Sequence, residues 1–393
     1  MTAMGLLVGV DVGTSGLKAV AIDEETGRTE ASATQGYPLS TPRPGWAEQD
    51  PALYESALGL ALRELTASLG ARAGGVRAIG LTGQMHTAVL LDVARRPVRP
   101  AMLWCDTRTT AECAAIRTAL GEEGLRRAVG NRALPGFTLP KLLWLRAHEP
   151  DAYALVDKVL MPKDWVGWLL TGEIGADVSD ASGTLAFDPG ARGWSEEVAR
   201  TLDVPTSFWP PVGDSPSMLG QLSASMASLT GLPAGIPVAR GAADNAAGAV
   251  GLGVVRPGRV MASIGTSGVV LAHTDGYAVE PAMRLHAFCH AVPGAYYAMG
   301  VMLAAGGALR WYRDVLCDGE KMAAEIRGAD PYEIIADTAS TARPGAGGLV
   351  FLPYLMGERT PYLDPIARGG WIGLTAKHTR ADLIRALLGK QTW

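Results

Sequence analysis

A chain of 393 residues has room for two or three domains, each with its own core, so a peptide-sized or disulfide-stapled molecule is excluded. With 35 Lys and Arg against 39 Asp and Glu, the net charge of −4 leaves no global basic field to hold nucleic acid or an anionic membrane, and any anionic ligand must be held locally. Four cysteines, Cys105, Cys113, Cys289 and Cys317, show no C-x-x-C spacing, which argues against a zinc or disulfide framework and makes a reducing, cytoplasmic compartment the default expectation.

The apolar opening stops at Asp11, has no cationic lead-in, and no later apolar run reaches the roughly 18 residues that cross a bilayer, so a soluble protein is expected. Residues 5–10 read as a buried strand, and 17–22 and 28–34 as two more, joined by the turn-rich stretch from Asp23 to Gly27. Asp50 and Pro51 supply a cap and a first-turn residue, after which Tyr54, Leu58, Leu62, Leu65 and Leu69 recur at helical spacing until Gly70. A strand follows at 76–82. A three-strand meander, a helix and a new strand predict an α/β layer of the ribonuclease H-like kind rather than a doubly wound sheet. Residues 109–120, 140–148 and 163–171 read as helices capping that layer. From Gly258 the opening pattern returns: an apolar strand again runs into Gly-Thr-Ser-Gly, at residues 13–16 and at 265–268. That repeat suggests a duplicated domain with a cleft between the copies, residues 1–253 forming the first and 254–393 the second.

Each Gly-Thr-Ser-Gly turn offers uncovered backbone N–H groups and two hydroxyls, a nest suited to phosphate, and Lys18 adds charge beside the first. One copy alone would read as an ordinary hairpin turn; two reverse that weighting. Asp11 ends the first strand, where a carboxylate meets phosphate only if a cation such as magnesium lies between them, the alternative being a turn carboxylate bonded to its own loop. Asp244 stands among small residues in "GAADNAAG" and suits either a helix cap or a general base toward a substrate hydroxyl. "GQMHT" (residues 83–87) and "WCDTR" (104–108) together offer an amide, an imidazole, an indole, a carboxylate and a guanidinium, a set suited to a polyhydroxylated ligand. Taken singly, His86 reads as a core histidine, and Asp106 with Arg108 as a surface pair. His286 and His290 fall in a strand-like stretch without metal-ligand spacing.

"DVGTSGLK", "GQMH", "WCDTR", "PKLLWL", "DVSDASGTLAFD", "GAADNAAGA", "SIGTSG" and "FLPYLMGERTPYLDP" occur in the order seen in the FGGY carbohydrate kinases, and from about residue 5 to 388 the chain resembles the xylulokinase branch of that family. The resemblance implies an α/β fold of two ribonuclease H-like (actin-like ATPase) domains closing on ATP, Mg2+ and a ketopentose, with D-xylulose phosphorylated to D-xylulose 5-phosphate. It implies Asp244 as catalytic base and Asp11 as the second essential carboxylate, near the metal. It places Gly13, Thr14, Ser15, Lys18, Gly265, Thr266 and Ser267 on the ATP phosphates, and Gln84, Met85, His86, Trp104, Asp106 and Asn245 around the sugar. A homodimer is a further family expectation. The stretch after Gly265 is short for a complete second domain, and "RADLIRALL" gives way to "GKQTW" without an adenosine motif. A truncated or frameshifted second domain with weak ATP affinity is therefore expected, and an inert sugar-binding remnant or a kinase for another ketose or polyol is the alternative.

Overall fold

The computed structural model describes residues 5–364 and 366–389. Contacts divide the chain into two units: one runs to Arg259 and takes in His273–Val279 and Ala287–Tyr297, and the other comprises Val260–Ala272, Glu280–His286 and the described residues from Ala298 onward.

In the first unit, alternation of buried apolar residues makes a strand of Leu6–Val12 (β1), with Leu6, Val8, Val10 and Val12 inward and Asp11 outward. β1 pairs antiparallel with Gly16–Asp23 (β2), which pairs antiparallel with Thr29–Gly36 (β3), giving the expected meander. Helix α1 (Pro51–Leu69) starts where Asp50 accepts the Ala52 N–H at 2.9 Å with Pro51 behind it, and ends at Gly70. Its buried stripe, Tyr54, Leu58, Leu62, Leu65 and Leu69, lies across β2 and β3. Each such side chain contributes about 1.5–3 kcal/mol of burial, so the stripe rather than intrinsic propensity holds the helix in place.

Val76–Gly83 (β4) then runs parallel to β1, with Asp11 opposite Thr82. Thr110–Ala128 (α2) continues eight residues beyond the expected end, because the chain bends at Gly121 and resumes. Thr138–His148 (α3) and Pro162–Thr171 (α4) occupy the remaining predicted helices, and Val178–Ser182 adds a short one, α5. Met218–Gln221 (β5), Pro237–Ala239 (β6) and Ala242–Ala243 (β7) complete the sheet in the order β5-β6-β4-β1-β2-β3, with β7 also on β4. Both β6 and β7 run parallel to β4, and Asp244–Gly251 (α6) leaves directly from β7. One core joins the buried residues of β1–β4, α1 and α4.

In the second unit Val260–Ile264 (β8) and Gly268–Thr274 (β9) form an antiparallel hairpin around the second Gly-Thr-Ser-Gly turn. Val260, Ala262, Ile264 and Val270 share one exposed face, while Met261 and Leu271 are buried on the other. Helices Gly306–Leu316 (α7), Pro331–Ser340 (α9) and Arg380–Gly389 (α10) gather a separate core on Tyr312, Ile335, Phe351, Ile384 and Leu387, and Asp318–Arg327 (α8) packs on α9. Trp371 meets Phe351 there at a tilt, ring centres 4.8 Å apart.

Candidate active site

Three parallel strands, β1, β4 and β7, end side by side, and this edge is where the first unit gathers its polar groups. Asp11, Thr82 and Ala242 stand in one row across them, so Asp11 and Ala242 are about 10 Å apart and Asp244 comes next beyond Ala242. Loops at the carboxyl ends of parallel strands are the usual ligand platform of α/β sheets, since side chains there escape the ladder.

Asp244 is the first residue of α6, not its cap, which is Ala243; the capping alternative is thus not realised. Its Oδ1 accepts the Asn245 N–H at 2.7 Å and Asn245 Nδ2 at 3.0 Å, and Oδ2 accepts no hydrogen bond among the described residues. The residue is exposed to solvent at this strand edge, and desolvation by the protein packed around its carboxyl raises its pKa to about 6. The two bonds from Asn245 oppose the rise, and the negative charge of Asp11 adds to it. Asp11 is itself raised by desolvation and partly restored by Lys18, its cross-strand neighbour. Thr82, between the two acids, has a buried hydroxyl without a partner among the described residues.

The first Gly-Thr-Ser-Gly turn is held from outside. Tyr37 Oη donates to the Gly13 carbonyl at 2.6 Å, Gln49 Nε2 to the Thr14 carbonyl at 2.7 Å, and Trp104 Nε1 to Thr14 Oγ1 at 2.9 Å. Thr14 Oγ1 in turn approaches Gln84 Oε1 at 3.4 Å. Gln84 and Trp104 therefore brace the turn. The Thr14 and Ser15 amides have no acceptor among the described residues, which leaves two consecutive N–H groups open. In the second unit Thr266 and Ser267 amides are equally unbonded, and Thr266 Oγ1 receives Arg310 much as Thr14 receives Trp104. The Thr266 carbonyl accepts the Ala305 N–H at 2.9 Å at the start of α7.

His86 has a left-handed φ of 65° and donates Nδ1–H to the Gly183 carbonyl at 2.5 Å. A Cβ on Gly183 would come within 2.9 Å of that ring, so the "SDASGT" segment needs glycine there. The His86 carbonyl accepts from Lys141 Nζ at 2.8 Å and Thr138 Oγ1 at 3.1 Å, and Phe137 and Phe288 flank the ring. Met85 Sδ receives Asn245 Nδ2 at 3.8 Å and Tyr297 Oη at 3.9 Å, so Met85, His86 and Asn245 are neighbours.

Asp106 does not form the exposed surface pair expected from its residue type. It has no exposed surface: Oδ2 takes the Ala47 N–H at 2.7 Å and Arg108 Nη2 at 2.6 Å, and Oδ1 takes Arg108 Nε at 2.9 Å. Arg108 is buried too, its guanidinium 3.5 Å over the Trp46 ring and bonded to Glu48 at 2.7 Å. The expected surface pair is an interior one, because Trp46 and Trp144 close over it. Both carboxylate oxygens of Asp106 are thus taken by internal donors.

Family models for the FGGY family of carbohydrate kinases match residues 6–251 with the N-terminal domain and 260–389 with the C-terminal domain. The chain belongs to the FGGY carbohydrate kinase family. It is 40% identical over 383 residues to the xylulose kinase of Klebsiella pneumoniae, covering 98% of this chain and 76% of that one. It is 28% identical over 384 residues to the gluconokinase of Bacillus subtilis, covering 97% and 74%. The crystal structure of a xylulose kinase from Brucella ovis matches with a TM-score of 0.88 at 40% identity, covering 98% of this chain and 76% of that one. This FGGY kinase is therefore an α/β sugar phosphotransferase, and sugar kinases of its family use ATP. No helix among its described residues is long and apolar enough to cross a membrane.

Sequence reasoning gave no role to Lys141, Lys163, Gln49 or Ser179. The available signal was a lone lysine inside an apolar run, as in "TLPKLLWL", which is tolerable only when its three N–H groups are matched.

Proposed function

We propose that this kinase phosphorylates the terminal hydroxyl of D-xylulose with ATP and Mg2+. One observation carries the reading: Asp244 presents a solvent-exposed carboxylate oxygen that accepts no hydrogen bond among the described residues, at a pKa of about 6, beside the Asp11 row. A base with that value is ionised at neutral pH and still able to take a proton from a hydroxyl as the oxygen becomes acidic in the transition state. Asp244 Oδ2 accepts the proton as the sugar oxygen bonds to the terminal phosphorus and the bond to the departing diphosphate breaks.

The residues present fit the nucleotide and its metal. Magnesium usually takes one or two protein carboxylates and fills its shell with water and phosphate, a demand that Asp11 meets, with the partnerless Thr82 hydroxyl beside it. Bound magnesium–ATP supplies the electrophilic phosphorus and neutralises the charge of the leaving diphosphate. The open amides of Thr14 and Ser15, with Gly13 and Lys18, suit phosphate oxygens, and Gly265, Thr266 and Ser267 offer the same groups in their own unit. Met85, His86 and Asn245 bound the sugar, while Gln84, Trp104 and Asp106 hold that wall and the turn behind it. The domain limits at residues 253 and 254 belong to the same proposal.

The test is sugar-dependent ADP release with D-xylulose against other ketoses and gluconate, on wild type and Asp244→Ala. D-xylulose should give the highest kcat/KM, and the substitution should lower kcat by about 10²–10⁴-fold. Turnover that survives the substitution removes Asp244 as base. Preference for gluconate, which the likeness to a gluconokinase raises as the second reading, reassigns the acceptor.

A further inference from the structure

Behind the site lies a buried ionic cluster that the mechanism above does not use. Lys163, at the start of α4, has no exposed surface, and its Nζ lies 2.5 Å from Asp164 Oδ1, 3.0 Å from Asp177 Oδ1 and 3.4 Å from Asp180 Oδ2. Such a group of charges is no asset to stability by itself, since desolvating several ions offsets their mutual attraction. Burial alone would strip the lysine of its proton, but the three carboxylates outweigh it and keep Nζ charged. Burial also pushes Asp180 well above the usual carboxylate range, toward the neutral acid.

The hydrogen bonds that leave the cluster converge on one place. Asp177 Oδ2 accepts the hydroxyls of both Ser179, at 2.5 Å, and Ser215, at 2.6 Å. A serine that donates to a carboxylate has its lone pairs free, and Ser179 Oγ uses one to accept the Ala243 N–H at 3.0 Å. Ser215 reaches the residue that leads into the same strand through its carbonyl, which accepts the Gly241 N–H at 3.0 Å. Gly241 has φ +78°, and a Cβ there would sit 2.0 Å from the Leu81 carbonyl oxygen, so this backbone is pressed against β4 without slack. Two tethers from one carboxylate thus grip the chain three residues and one residue before Asp244.

We infer that the Lys163–Asp177 pair, acting through Ser179 and Ser215, is the device that fixes β7 and so aims the Asp244 carboxylate. Lys163, Asp177, Ser179 and Ser215 are positioning residues; none of them touches substrate. Lys163 locks the Asp177 carboxylate by Oδ1, which orients Oδ2 toward the two hydroxyls. The hydroxyls then have only one way to turn, and that orientation presents an acceptor to Ala243. The inference rests on the reading of Asp244 as base, and a shift of that carboxylate on the order of 1 Å is enough to cost about 10²-fold in rate.

The experiment compares Ser179→Ala, Ser215→Ala and Asp244→Asn with Ser182→Ala as control. Ser182 is equally buried, in the same short helix, but its hydroxyl bonds Val178 and Cys289 and not β7. Steady-state kinetics with D-xylulose and ATP are paired with amide hydrogen exchange of the peptide spanning residues 240–248, a readout that needs no turnover. Ser179→Ala should lower kcat about tenfold, leave the sugar KM within about twofold, and speed exchange in that peptide but not in β1. Ser182→Ala should leave kcat and that peptide unchanged. Should Ser179→Ala fail to fold, Ser215→Ala carries the same expectation. Wild-type exchange and kcat in the serine variants, with Asp244→Asn inactive, overturn the positioning device and spare the base. Turnover by Asp244→Asn overturns the base itself, and exchange then reports on the tether alone.

Discussion

Replacing Asp106 with alanine separates the sugar contact implied by the family resemblance from the internal strut seen in the fold. The side chain accepts from the Ala47 N–H, the Arg108 N–H and the Arg108 guanidinium, with no exposed surface. Its loss leaves a buried guanidinium that keeps only Glu48, at 2.7 Å, and the faces of Trp46 and Trp144. Removing one partner of a buried pair costs roughly 3–5 kcal/mol, and the surviving Glu48 contact puts this case near 3 kcal/mol. For a unit of this size each kcal/mol moves the melting point by about 2–4 °C, so a fall on the order of 6–12 °C is expected. Differential scanning calorimetry on the variant, followed by sugar KM at a temperature where it remains folded, gives both numbers. A melting point unchanged within error, together with a sugar KM raised tenfold or more, would refute the strut and restore Asp106 to the ligand wall.

Two further outcomes follow from the same geometry. Activity should rise with pH through about 6 as Asp244 ionises, and Asp11→Asn, by removing the neighbouring negative charge, should move that limb of the residual kcat profile to lower pH; a limb that moves upward contradicts the coupling. Gly241→Ala should destabilise the protein by about 2 kcal/mol or more and cut kcat sharply, because φ +78° and the Leu81 carbonyl leave no place for a methyl group; wild-type urea denaturation would disprove the close approach.

What the sequence made legible was periodic. The apolar run at residues 5–10 and the leucine stripe after Pro51 are local signals backed by burial, and both appear as strand and helix with limits within a residue or two of those expected. Helix α2 ran past its expected end because Gly121 breaks the dihedrals without ending the element, which a residue count cannot register. Pairings distant in sequence were not legible. Nothing near Asp106 says that Trp46 will cover its arginine, and nothing near Trp104 says that its indole will seek the Thr14 hydroxyl. The "DVSDASGT" segment was visible as a motif, but nothing in it announced that Ser179 accepts a backbone N–H from β7, a bond between residues 64 positions apart.

The hairpin of the second unit bears on how the molecule behaves among its own kind. Val260, Ala262, Ile264 and Val270 form an oily plate beside an edge strand, whose outer backbone groups invite another strand to add on. A net charge of only −4 over 393 residues provides weak long-range repulsion, and salt screens what there is. Crowding and kosmotropic salt should therefore drive these molecules together through this plate, while dilution and added surface acids keep them dispersed.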